Sequence, residues 1–244
     1  MLVINKRDFV KRKIVVETLG VIGGFVLIIL GLIAVALGIS SDGVFQPWML
    51  IILGAVLFLF GGIVLMNRAG EIAIWRAGLA GQKVVPRTLE KISDDFTLLN
   101  NISLKGRNCD IDHIVVGKAA VFAIESKHYN GEIYGQGEEW SYLKRGRAGG
   151  FYRGHIGNPA RQIKRSTWEL KEVIDESVPE NTEGLWIEPV VVFTHPNTTL
   201  RITDSPIKVL HSNDLSEFII SRDSEKETIS EELKSKIIEL LKNQ

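Results

Sequence analysis

Residues 109–131 read CDIDHIVVGKAAVFAIESKHYNG, with two runs of β-branched and apolar residues, 111–116 and 121–126, on either side of a short glycine-containing connection. This pattern predicts an antiparallel hairpin. With the turn centred between residues 118 and 119, paired residues have numbers adding to 237, so Asp112 faces Glu125 and Asp110 faces Lys127. Alternate residues share a face, and all four side chains are expected on one side. Opposed residues have Cβ atoms about 5 Å apart, where two carboxylates repel unless a proton or cation neutralises them. Oxygen ligands with open water positions suit Mg²⁺ or Mn²⁺, which can orient an attacking water and neutralise charge on a phosphate. Lys127, beside Glu125, can hold that water or stabilise the transition state. A structural ion-pair cluster would use the same residues. The apolar neighbours Ile111, Val115, Phe122 and Ile124 favour the chemical reading, because charges at the ends of otherwise buried strands are not a solvated face.

Outward from the hairpin, an apolar pattern over 67–92 predicts a helix broken at Pro86. Strands are expected at 96–104, 185–193 and 207–210, and the glycine-rich stretch 131–157 reads as short strands and a loop. Asn158 is a good N-cap and Pro159 suits the first helical position, so a helix runs from there to about Val178. Further helices are predicted at 214–220 and from about 229. Strands mixed with helices, several strands apolar on both faces, imply an α/β fold with a mixed central sheet flanked by helices.

The N-terminal part is different in kind. The 244 residues carry 29 basic and 29 acidic side chains, a net charge of zero, yet the mean hydropathy is +0.11. The two facts coexist because residues 18–41 and 43–67 hold no charge. The apolar runs 20–39 and 48–66 are each about long enough to cross a bilayer as a helix, and SSDGVFQP between them reads as a polar turn, so a transmembrane helical hairpin is expected. Lys6, Arg7, Lys11, Arg12 and Lys13 precede it, Arg68 and Arg76 follow it, and the turn has no Lys or Arg, which places both ends in the cytoplasm. The chain then divides into a basic N-terminus (1–17), two spans within 18–66, and a cytoplasmic domain (67–244), a multi-pass protein of the cell membrane. A cleaved signal peptide is the alternative for the first span. Gly23, Gly24, Gly31, Gly61 and Gly62 could let the helices pack closely. The single cysteine, Cys109, excludes an internal disulfide and reads as a small apolar residue near a strand start.

The stretches DHIVV, AVFAIESK with a following NG, and NPARQ about thirty residues on resemble the nuclease-related domain (NERD) family over about residues 75–195. That family is grouped with the PD-(D/E)xK nucleases. The resemblance implies a restriction-endonuclease-like fold in which Asp112 and Glu125 are the metal-binding acids, Lys127 the catalytic lysine and Gln162 the helix glutamine. The family usually has Gly-Glu in its early helix, whereas here the residues are Gly81 and Gln82. Asp110 could compensate as a metal ligand.

Substrate contacts are expected from Lys144, Arg145, Arg147, Arg153, Arg161, Lys164 and Arg165, which occur with no acid between Glu139 and Glu169 and with Trp140, Tyr142, Phe151 and Tyr152 among them. Cations neutralise phosphates and aromatic rings stack on bases, so the stretch reads as a nucleic-acid surface, with DNA ranked ahead of RNA; a solvated loop is the alternative. His113 alternates away from the acids and reads as a core or supporting residue, and the other histidines show no metal-ligand spacing. No phosphate-binding glycine loop is present. The functional expectation is a membrane-anchored, Mg²⁺- or Mn²⁺-dependent nuclease; the competing one is an inactive module binding nucleic acid or protein at the inner membrane face. Oligomeric state is not legible.

Overall fold

The computed structural model describes residues 1–5, 9–40, 47–146, 149–178, 182 and 184–244. Lys6 and Arg7, Arg147 and residues 41–46 of the expected polar turn lie outside the described residues. The chain forms two units, Asp8–Leu79 and Met1–Arg7 together with Ala80–Gln244.

The first unit is a pair of helices, α1 (Phe9–Ser40) and α2 (Pro47–Gln82, the unit ending at Leu79), each long and apolar enough to cross a membrane. Side chains such as Leu19, Phe25, Ile33, Leu59 and Phe60 point outward. The helices meet at glycines: a Cβ on Gly31 would lie 2.6 Å from the Gly54 carbonyl oxygen, and one on Gly61 would lie 2.8 Å from that of Gly24. Gly23 and Gly62, expected at this seam, face open space. The seven-residue spacing of Gly24 and Gly31, matched by Gly54 and Gly61, selects the true contact face. Glu17 is buried and accepts from Arg68 Nη1 at 2.8 Å, so the pair meets that charge with an opposite one.

The second unit holds two sheets. The larger has the order β1 (Leu2–Asn5), β2 (Thr97–Ser103), β3 (Asp110–Val116), β4 (Ala120–Lys127), β8 (Trp186–Phe193), β10 (Lys208–His211). It is mixed: β2, β3 and β4 are antiparallel, while β1, β8 and β10 join their neighbours in parallel. β4 is central and its first six residues are buried, as its continuous apolar run demands. Around one half of the core pack α4 (Pro159–Ser177) and α6 (Glu231–Asn243); around the other pack α3 (Val84–Leu89) and α5 (Leu215–Ser224). Pro86 lies in the first turn of α3, where its missing N–H costs nothing, so the expected break falls three residues earlier, at Lys83 between α2 and α3.

The smaller sheet has the order β7 (Phe151–His155), β6 (Glu139–Arg145), β5 (Gly131–Gln136), β9 (Thr198–Asp204). The glycine-rich stretch thus builds a sheet of its own, completed by a strand with no apolar run to announce it. Nor is β1 legible locally: four residues ahead of an apolar helix acquire strand geometry only by pairing with β2.

Two polar devices fix the frame. Asn158 Oδ1 caps α4 by accepting from the Arg161 N–H at 2.8 Å. On α5, the buried Asp223 carboxylate accepts from the backbone N–H groups of Lys118, Ala119 and Ala120 at 2.9 to 3.1 Å, and so holds the turn of the β3–β4 hairpin.

Candidate active site

The hairpin register is the expected one: His113 pairs with Ile124, Ile114 with Ala123, Val115 with Phe122 and Val116 with Val121. The ladder stops at His113. Beyond it β3 stays with β2 as far as Asp110 against Ser103, while β4 stays with β8 as far as Lys127 against Phe193. The two strands fork, and Asp112 and Glu125 stand at the fork.

Asp112 bridges the gap with its side chain. Its Oδ2 accepts from the Ser126 N–H at 2.9 Å and the Ser126 hydroxyl at 2.8 Å, and Oδ1 accepts from Gln82 Nε2 at 3.4 Å. Across on β2, Asn101 takes a left-handed backbone conformation (φ 56°) and has no rung. Asn tolerates this conformation better than most residues. The irregularity breaks the two-residue alternation, for Ile111 and Ile114 pack into the same cluster. Asp110 pairs with Ser103 on β2 and is exposed, and neither of the expected rungs, Asp112 with Glu125 or Asp110 with Lys127, forms, because the β3–β4 ladder ends at His113.

Glu125 is 4% exposed, and its carboxylate accepts from Lys127 Nζ at 2.7 Å. The same ammonium donates to Gln162 Oε1 at 3.2 Å, one turn into α4. Burial, reinforced by the negative charge of Asp112, pushes the Glu125 carboxyl up to about 7 against the opposing pull of Lys127. Asp112, Glu125, Lys127 and Gln162 are therefore brought together. His113 is fully buried, and burial lowers its pKa to about 4.

Gln82 reaches Asp112 because Gly81 lets the end of α2 close on the far end of β4. A Cβ at Gly81 would lie 2.5 Å from His128 Cβ and 3.0 Å from Thr194 Oγ1. Gln82 in contact with Asp112 was legible only as a departure from a family pattern. Ser126, Asn100 and Asp223 gave no local signal of their parts.

Asp110 lines a cavity of about 870 Å³, together with Gln162 of the site and with Trp140, Arg153, Arg161 and Arg165. Arg161 is ion-paired to Glu138. Lys144 Nζ lies 5.3 Å from the Tyr142 ring and 5.2 Å from the Tyr152 ring, and Arg153 lies over Tyr134. Tyr129, Tyr142 and Tyr152 form a line at centroid spacings of 5.5 and 6.0 Å, starting two residues past Lys127. Gly154 makes room for it, since a Cβ there would meet Tyr142 Oη at 2.5 Å. Trp140, expected at the surface, is 2% exposed and packs in the core, whereas Phe151 is 73% exposed. Arg145 donates to the Gly149 carbonyl, Lys164 and Arg165 are exposed, and Arg147 is not described.

No group of three or more His, Cys, Asp and Glu suited to a metal ion occurs among the described residues. The two acids at the fork still fit a hard divalent cation. Both offer only oxygen, the charge of one disfavours ionisation of the other, and Mg²⁺ commonly takes one or two carboxylates with water and phosphate oxygens completing its shell.

An uncharacterized protein of Bacillus anthracis is 28% identical to the chain over 156 residues, 60% of this chain and 67% of that relative. No solved structure is similar enough to count as a match. The nuclease-related domain family model matches residues 77–194, from the end of α2 through the hairpin and α4 to the end of β8. The segment that builds this fork is therefore a nuclease-related domain (NERD), preceded by two helices long and apolar enough to span a membrane.

Proposed function

We propose that this protein hydrolyses phosphodiester bonds of nucleic acid with Mg²⁺ or Mn²⁺, from a domain held at the cytoplasmic face of the membrane by its helical pair. The observation that carries the reading is the forked hairpin, where two electrostatically coupled carboxylates stand beside a lysine ammonium that also meets a helix glutamine. Asp112 and Glu125 would hold the cation, which when bound supplies a water of lowered pKa and neutralises charge on the phosphate. Ser126 and Gln82 fix Asp112 by three hydrogen bonds, so the carboxylate need not reorganise when substrate arrives. Lys127, held between Glu125 and Gln162, donates to a non-bridging phosphate oxygen as negative charge grows there. The tyrosine line and Lys144 offer stacking faces and a cation to the strand beyond the cleaved bond.

The membrane reading gains support from β1. The strand before α1 pairs within the same unit that α2 leads into, so the chain leaves and re-enters one unit across the helical pair. A hairpin crossing twice satisfies this. The cluster Lys11, Arg12, Lys13, Arg68 and Arg76 supports the cytoplasm as that side.

A second reading, an inactive nucleic-acid-binding or protein-binding module, is favoured by Gln82, whose amide occupies Asp112 where an acid would strengthen a metal site. The full chain in detergent, with labelled DNA and RNA and with Mg²⁺, Mn²⁺ or EDTA, discriminates the two. Metal-dependent cleavage lost in Glu125→Ala and Lys127→Ala is expected, and equal activity in wild type and variants would defeat the hydrolase.

A further inference from the structure

β1 lies outside residues 77–194 and ahead of the first apolar helix, yet it is part of the larger sheet. The Met1 amine pairs with Asp94, the Leu2 N–H donates to the Phe96 carbonyl at 3.2 Å, and the ladder runs to Asn5 against Asn100. There a chain of side chains begins. Asn100 Nδ2 donates to Asn5 Oδ1 at 2.7 Å, and Asn100 Oδ1 lies 2.6 Å from His113 Nδ1. Asn100 and His113 are 3% and 1% exposed.

The chain has a definite polarity. Asn100 turns its amide nitrogen to Asn5 and so presents its carbonyl to His113, which must donate from Nδ1. His113 Nε2 is then a bare lone pair, and it has no partner among the described residues. His113 is also the last rung before the fork, paired to Asn100 on one side and Ile124 on the other. The next residue, Asp112, has no rung on either strand, because Asn101 is left-handed and the β4 ladder has ended. Its backbone is placed by its neighbours.

We propose that Asn5 is a positioning residue for the site: from a strand that precedes the first apolar helix, it orients Asn100, fixes His113 in its Nδ1–H form, and so steadies the rung that presents Asp112. The nuclease-related domain is completed by residues on the other side of the helical pair in sequence. This rests on the proposed function only in that Asp112 is taken to hold a cation.

The test uses the full chain in detergent micelles with ¹⁵N-labelled histidine, comparing wild type, Asn5→Ala and Asn5→Asp. Two readouts are independent of turnover: the nitrogen shifts of His113, which report its tautomer, and Mn²⁺ affinity by titration. The wild type is expected in the Nδ1–H form. Asn5→Ala is expected to mix or reverse the tautomer and weaken Mn²⁺ binding about ten-fold, as loss of a partner behind a metal ligand commonly does. Asn5→Asp keeps an acceptor oxygen and is expected to restore both. A wild-type Nε2–H form, an unchanged tautomer in Asn5→Ala, or an Asn5→Asp protein as impaired as Asn5→Ala would overturn the proposal. Should Asn5→Ala lose the sheet altogether, Asn5→Asp decides alone. If the wild type binds no Mn²⁺, the cation reading fails and the His113 spectrum still tests the brace.

Discussion

In the absence of divalent cations, Glu125 and His113 should pull stability in opposite directions across the same pH range. Glu125 is held at about 7 in the folded protein against 4.5 unfolded. A raised carboxyl leaves stability intact below 4.5 and removes it as pH climbs to 7. His113 stands at about 4 against 6.5. A depressed imidazole leaves stability intact above 6.5 and removes it as pH falls to 4. At about 1.4 kcal/mol per pH unit, each displacement corresponds to about 3 kcal/mol, with no discount for solvent because both groups are buried. The two slopes nearly cancel, so the wild type should be almost flat between pH 4.5 and 6.5. Glu125→Gln should unmask the histidine, losing about 3 kcal/mol as pH falls from 6.5 to 4. His113→Gln should unmask the glutamate, losing about as much as pH rises from 4.5 to 7. Urea unfolding of the full chain in detergent with EDTA, followed by circular dichroism of the sheets, reads both slopes. Two variants as flat as the wild type would refute the claim that these groups are buried, one beside the charge of Asp112.

Three further outcomes follow from the same geometry. Mg²⁺ at about a hundred times its Kd should stabilise the wild type by about 2.7 kcal/mol at pH 7.5 and much less at pH 5, where Glu125 is protonated; equal stabilisation at both would place the ion elsewhere. Asp223→Ala should cost about 2 to 4 kcal/mol in urea unfolding, since the buried amides of Ala119 and Ala120 lose a charged acceptor, and a cost below 1 kcal/mol would deny Asp223 its hold on the hairpin turn. Gln82→Glu should tighten Mn²⁺ binding in titrations at neutral pH by placing a third carboxylate at Asp112, and weaker or equal binding would show that this position is not a ligand.

The local signals were strong where chemistry is periodic. The two apolar runs, the register of the β3–β4 hairpin and the Asn158–Pro159 start of α4 were all legible, because hydrophobic period, turn symmetry and capping are properties of neighbouring residues. Glu125, Lys127 and Gln162 came together as the spacing and the family resemblance implied. Asp110 shares a cavity with Gln162, but its expected rung with Lys127 does not form, because the β3–β4 ladder ends at His113. Trp140 turned inward because the glycine-rich stretch folds into a second sheet whose inner face needed filling.

Sequence by itself determined which residues could carry charge into a buried place and which helices could cross a bilayer. Tertiary structure decided the rest through contacts between residues far apart in the chain. Asn5 reaches Asn100, Gln82 reaches Asp112, and Asp223 reaches the hairpin turn, and no local pattern encodes such pairings. The state of the site also belongs to that level, for the raised carboxyl of Glu125 comes first from burial and next from the charge of a residue on the neighbouring strand.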